Sequence, residues 1–314
     1  MMNVETMPTR LFLSSGDLLA DRRFEFARDL QSNGDLVAAA DLLSQATELA
    51  PRFASAWFTL GEIRLELGEQ EAAVAAFRNA RDSDPDDRHG AAVRLMRLGA
   101  EELSPMPRGY VRALFDQYAP RFEAALLGEL NYRAPQLLLK SVLAVRSAAK
   151  KPAFFKRAID LGCGTGLAAA AFAKEVDEII GIDLSPGMIE QARATGLYAA
   201  LEIADMVEGL RQRPQTSADL ILAADAMVYV PDLKPVLLEA ARVLAPGGLL
   251  AFTVETHGGD GVIIGAGLRY AHGAGHVRET IDAAGLTLAH FDEASPRTED
   301  HVPVRRLVVV AAKT

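Results

Sequence analysis

The stretch from Arg157 to Ala171 constrains the fold more tightly than any other part of the chain. Arg157-Ala158-Ile159-Asp160-Leu161 reads as a short strand. Gly162-Cys163-Gly164-Thr165-Gly166 reads as a turn, and Leu167 with Ala168–Ala171 as the start of a helix. A strand that runs through glycines into a helix N-terminus lets a ligand approach the backbone closely. Spacing decides between ligands. Nicotinamide and flavin loops place the third glycine three positions after the second, whereas Gly166 follows Gly164 by two. A pyrophosphate cradle is therefore the poorer fit. The loop also lacks the Gly-Lys-Ser/Thr ending of a P-loop.

Acids recur at the strand ends that follow. Glu178–Asp183 reads as a second strand ending in Asp183, 17 residues after Gly166, where a carboxylate can accept both hydroxyls of a ribose. Ser185 and Pro186 read as the N-cap and first residue of a helix. Met188 and Ile189 then fall where an adenine face would rest. A third strand, Leu197–Ile203, leads to Ala204-Asp205-Met206. Asp205 can accept from the adenine amine or cap a helix, and Met206 can pack on the ring.

The first hundred residues have a different texture. They are Ala-, Leu- and Arg-rich with helical periodicity, and no lysine precedes Lys140. A 34-residue repeat is present. Its clearer copy, residues 54–87, carries Trp57, Leu60, Gly61, Ala73, Phe77, Ala80 and Pro85. The copy at 20–53 keeps Ala39, Leu43, Ala46 and Pro51. The pattern matches the tetratricopeptide (TPR) consensus, a helix hairpin closed by small residues and ended by proline. A closing helix is expected over 89–102. Ser104-Pro105-Met106-Pro107 is the expected boundary, giving an all-α domain over 1–103 and a second domain over 104–314. Within the second, 109–150 reads as a helical lid and 157–314 as a sheet core.

With 314 residues, half of them hydrophobic, the chain has ample core for about two domains. A net charge of −9 argues against nucleic-acid or anionic-membrane partners. The single Cys163 excludes an intramolecular disulfide framework and a cysteine zinc cage, and a reducing, cytoplasmic setting is expected. No apolar run reaches membrane-spanning length.

Five spaced segments together resemble class I S-adenosylmethionine-dependent methyltransferases. They are Asp160–Gly166, Gly181-Ile182-Asp183-Leu184-Ser185, Ala204-Asp205, Ser217–Asp225 and Leu244-Ala245-Pro246-Gly247-Gly248-Leu249. The repeats, Phe115-Asp116-Gln117-Tyr118-Ala119, Tyr132-Arg133-Ala134-Pro135 and Arg269-Tyr270-Ala271-His272 further resemble a group of bacterial methyltransferases with TPR repeats. The resemblance implies a Rossmann-like, seven-stranded α/β domain with helices on both faces. Its last strand, Arg306–Ala312, would enter antiparallel after Leu286–Phe291. It implies S-adenosylmethionine as cofactor and S-adenosylhomocysteine as product. The cofactor-binding residues expected from motif and resemblance are Tyr118, Arg133, Asp160, Gly162, Cys163, Gly164, Gly166, Asp183, Leu184, Met188, Asp205, Met206 and Asp225.

A sulfonium methyl is already electrophilic, so alignment matters more than a fixed base. Candidate catalytic groups are Tyr229 after strand four, His257 after strand five, and His272 in the glycine-rich stretch Gly258–Gly275, which reads as a mobile lid. The irregular spacing of His257, His272 and His276 does not read as a metal site. The expected reaction is methyl transfer to a small or carrier-bound acceptor. Two alternatives stay open: a protein methyltransferase whose TPR unit docks the substrate, and an adaptor whose domain holds cofactor without turnover. The TPR helices are expected to bind a protein partner, self-associate or serve only as a cap.

Overall fold

The computed structural model describes residues 11–122, 132–295, 298–299 and 302–314. Contacts divide the chain into a unit over 9–114 and a unit that contains 115–314. The division falls inside the helix Arg108–Tyr118, later than the proline-bearing segment at which composition changes.

In the first unit, α1 (Leu18–Ser32) and α2 (Leu36–Leu49) form one hairpin, and α3 (Ala54–Glu66) and α4 (Gln70–Ser83) a second. Asp17 caps α1 by accepting from the N–H groups of Leu19 and Ala20, and Asp35 caps α2. The hairpins close on small residues. A Cβ on Gly61 would stand 2.7 Å from the Phe77 ring, so this helix pair needs glycine there. Ala39, Ala46, Leu43, Ala73, Phe77 and Ala80 are all buried, as the repeat requires. The expected closing helix is α5, Ala91–Arg97, shorter than its periodicity. Gly90 and Gly99, both in left-handed conformation, bracket it.

In the second unit, the end of α6 (Arg108–Tyr118) and α7 (Ala134–Ala148) precede the sheet. The sheet is built from β1 (Phe155–Leu161), β2 (Val176–Asp183), β3 (Ala200–Ile203), β4 (Ala218–Ala223) and β5 (Leu244–His257). It continues with β6 (Val262–Ile264), β7 (Tyr270–Gly273) and β8 (Thr287–Ala294). After the short pair β9 (Thr298–Glu299) and β10 (Val302–Pro303), it ends in β11 (Arg306–Ala312). The main path runs β3-β2-β1-β4-β5-β11-β8, and β1 through β5 pair parallel along it. β11 is antiparallel to both β5 and β8, as the resemblance implies. The strand order reverses at β1, which places the ligand crevice outside the carboxyl ends of β1 and β4.

Intervening helices are α8 (Leu167–Phe172), α9 (Pro186–Ala194), α10 (Met206–Arg211), α11 (Lys234–Val243) and α12 (Ala274–Ala283). Alternate strand residues separate two cores. Ile221, Phe252, Val254 and Val309 pack with Leu237 of α11 and Ile281 of α12. Leu220, Leu222, Ala251 and Val310 pack with Leu138 and Val142 of α7 and Phe172 of α8. This period of two, with both faces apolar, is what a sheet covered on both sides requires. One expectation is corrected. Gly258–Gly275 is not an open lid, because β6 and β7 pair as a hairpin and β7 adds to the free edge of β5 beyond the end of β4. Unmet backbone hydrogen bonds at that edge explain the difference.

Candidate cofactor and active site

Gly162, Gly164 and Gly166 all have positive φ, of 64°, 53° and 101°. This left-handed run turns β1 away from the sheet and opens α8. A Cβ on Gly162 would meet Ala226 Cβ at 2.4 Å, with Met206 Cε 3.8 Å away. The loops after β1, β3 and β4 therefore converge on one point. The loop after β2 joins them through Asp183. Its Oδ2 accepts the Gly164 N–H and its Oδ1 the Ser185 N–H, each at 2.8 Å. Burial pushes the Asp183 carboxyl above the ordinary range, against the pull of those donors.

Asp160 is fully buried below the glycine loop. Tyr198 donates to its Oδ2 at 2.7 Å, and its Oδ1 has no hydrogen-bond partner. Burial raises its pKa to about 7. Thr165 Oγ1 is likewise buried and unpartnered. Cys163 is buried and burial pushes its thiol far up, so it is a small packing residue rather than a nucleophile.

Asp205 Oδ1 caps α10 by accepting from Val207 and Glu208. Asp225 has a φ of 58°, unusual for a residue with a Cβ. Its N–H donates to Thr253 Oγ1, whose hydroxyl donates back to Asp225 Oδ1. Arg306, wholly buried, stands 3.0 Å from the same oxygen and donates to Glu255 Oε1 at 3.1 Å. Arg269 reaches that Glu255 oxygen at 2.5 Å. Two acids and two arginines thus form one network at the ends of β4, β5 and β11.

Other expected residues are distributed unevenly. Leu184, Met206 and Tyr118 are half-buried, and Arg133 is exposed at the start of α7. Met188 is fully buried, so its side chain is packing beneath the cleft rather than a surface for a ring. Tyr229 is half-buried in the turn after β4, with its ring edge-on to Phe115 at 5.2 Å. His257 is held by its own turn, accepting the Gly259 N–H on Nδ1 and lying 3.3 Å from the Gly261 carbonyl through Nε2. His272 is fully enclosed, its Nε2 3.1 Å from the Val230 carbonyl. Burial lowers its pKa to about 4. Among the described residues, no group of His, Cys, Asp or Glu is placed to hold a metal. No described helix is long and apolar enough to cross a membrane.

Residues 159–252 match a family model described as a methyltransferase domain, and residues 24–88 one described as a tetratricopeptide repeat. The chain joins TPR repeats to a methyltransferase domain. Methyltransferase-like protein 27 of Homo sapiens is 29% identical over 180 residues, which cover 55% of this chain and 66% of that protein. Trans-aconitate 2-methyltransferase of Methylobacterium radiotolerans is 41% identical over 96 residues, 30% of this chain and 36% of that protein. The chain thus spans about a third to two thirds of the length of these relatives. Among solved structures, the [4+2]-cyclase SpnF shares the fold with a TM-score of 0.52 at 19% identity, covering 66% of this chain and 96% of that one. Burkholderia thailandensis 1,6-didemethyltoxoflavin-N1-methyltransferase has a TM-score of 0.50 at 16% identity, covering 68% and 93%. A cyclase among these neighbours means that fold alone does not assign the reaction.

The residues fit an adenosyl ligand. Each Asp183 oxygen has one backbone donor and capacity for another, which suits a diol. The orphaned Asp160 Oδ1 and Thr165 Oγ1 supply buried acceptors beside the loop. Sequence reasoning missed Tyr198, Thr253, Arg306 and the role of Asp116. Each acts across 28 or more residues of chain, a separation that leaves no local pattern.

Proposed function

We propose that this protein transfers the methyl group of S-adenosylmethionine to a small or carrier-bound acceptor. The observation that carries the reading is Asp183, a buried acid at the end of β2 whose two oxygens each hold one loop N–H. The cofactor supplies an electrophilic methyl on a sulfonium. The remaining work falls to the protein's own residues. Asp183 would bind the ribose diol. Asp205 and Met206 flank the adenine position, while Leu184 covers its edge. The backbone of Gly162–Gly166 admits the methionine part, with Asp160 as acceptor for its ammonium, while Asp225, paired to Arg306, holds the loop after β4 beside it. Tyr118 and Arg133 would serve at the outer rim.

Catalysis on this reading is alignment of the acceptor with the S–CH₃ bond, in a cleft walled by Phe115 and Tyr229. Tyr229 acts as wall and hydrogen-bonding group. His257 is engaged by its own turn and His272 is enclosed, so neither is proposed as the base. Leu18, Phe26 and Val37, exposed on α1 and α2, support a protein partner or self-association for the TPR unit.

The test is transfer of a labelled methyl group from S-adenosylmethionine by the full chain into a bacterial extract. Label in small molecules or carriers supports the proposal. Label in proteins, lost when the repeats are deleted, supports a TPR-docked protein methyltransferase. Cofactor binding without transfer marks an adaptor.

A further inference from the structure

One short stretch, Phe115–Phe122, touches the loops after β1, β2 and β4. Phe122 Cε1 lies 3.6 Å from where a Cβ on Gly164 would stand, and Phe122 packs against the buried pair Tyr132 and Ala134. Phe115 meets Tyr229 edge-on and lies 6.2 Å from Phe122 between ring centroids. Between these aromatics, Asp116 Oδ1 accepts the Ser185 hydroxyl at 2.5 Å and the Gly187 N–H at 3.1 Å. Ser185 in turn donates its N–H to Asp183. Gly187 independently records the approach. A Cβ there would stand 3.2 Å from Ala119 Cβ and 3.3 Å from Asp116 Oδ1.

We infer that Asp116 is a positioning residue, a latch that holds Phe115–Phe122 as a closed roof over the cofactor cleft and ties it to the ribose-binding loop through Ser185. The inference rests on the cofactor reading above. Aromatic contacts alone tolerate sliding, whereas two hydrogen bonds to one carboxylate oxygen fix register. The latch is also coupled to the site. Burial is the first cause that raises the Asp183 carboxyl, and the Asp116 charge adds to it. Donors delivered to Asp183 relieve that repulsion, so filling the cleft and closing the roof favour one another.

The test uses the full chain with Asp116→Ala, Asp116→Asn and Gly187→Ala. Hydrogen exchange of Phe115–Phe122 is measured without ligand, and S-adenosylhomocysteine release by stopped flow. Asp116→Ala should speed exchange in this stretch alone and raise the release rate about tenfold, with little change in association. Asp116→Asn keeps an acceptor oxygen but not the charge, and should fall between wild type and Asp116→Ala. Gly187→Ala presses Ala119 and the Asp116 carboxylate back by a few tenths of an ångström with Asp116 intact, so it should speed exchange less than Asp116→Ala, and it carries the test if Asp116→Ala fails to fold. Unchanged exchange and release in Asp116→Ala, or in Gly187→Ala in its place, overturn the latch. A wild type that does not bind S-adenosylhomocysteine overturns the cofactor reading, and the exchange arm then judges the latch alone.

Discussion

The half of the sheet formed by β3, β2, β1 and β4 and the half formed by β5, β11 and β8 both bury carboxylates, but satisfy them differently. Asp160 and Asp183 rest on a tyrosine hydroxyl and backbone N–H groups. Among the described residues no arginine or lysine pairs with them. Glu255, and Asp225 at the seam, are instead neutralised by Arg306 and Arg269. An acid held by neutral donors keeps a charge that a ligand's donors can still stabilise. An acid matched to an arginine has its charge cancelled and contributes to the frame. The first half is thus poised for a ligand, and the second holds the end of β4 in place.

Arg306→Met should break this contrast most visibly. It takes the arginine from Asp225 and leaves Glu255 to Arg269 alone, so the loss should be about 3–5 kcal/mol in urea unfolding. Asp183→Asn should cost less, about 1–3 kcal/mol, because the amide oxygen still accepts one of the two loop N–H groups while its NH2 faces the other. Equal losses would erase the distinction between the halves.

Asp160 in the first half and His272 on β7, the strand added to the β5 edge, should also answer pH in opposite directions. Asp160 titrates near 7 in the folded protein against 3.8 for an ordinary carboxyl, so the fold retains a proton the unfolded chain has lost. Its contribution is present at low pH and is lost as pH rises through about 7. Asp160→Asn should flatten that slope and stabilise the ligand-free protein at pH 8. His272 titrates near 4 against 6.5, so its contribution is present above 6.5 and is lost as pH falls toward 4. His272→Gln should remove this smaller acid-side loss. Stability measured from pH 4 to 8 for both variants checks the pair, and parallel shifts would contradict it.

The same divide governs what could be read from the sequence. Asp183 reaches the Gly164 N–H across 19 residues, whereas Ser185 and Asp205 cap the helices that follow them within a single turn, so local spacing was enough to place both as caps. The two helix hairpins were legible for the same reason, since Gly61 and Phe77 belong to one repeat. The second half was not. Arg306 meets Glu255 across 51 residues, and Asp116 meets Ser185 across 69. Glycine content made Gly258–Gly275 look like an open loop, because the pull of the bare β5 edge is a tertiary effect. Met188 had suitable chemistry for a ring face, but its turn of α9 points it into the core.

Calorimetric titration of S-adenosylmethionine into the wild type and Asp183→Ala, each with its unfolding midpoint, tests the central claim most directly. The account predicts binding by the wild type and an affinity at least about 100-fold weaker in Asp183→Ala, as expected for two lost charge-assisted hydrogen bonds, in a protein that stays folded. No binding by the wild type, or equal affinity in both, would contradict it.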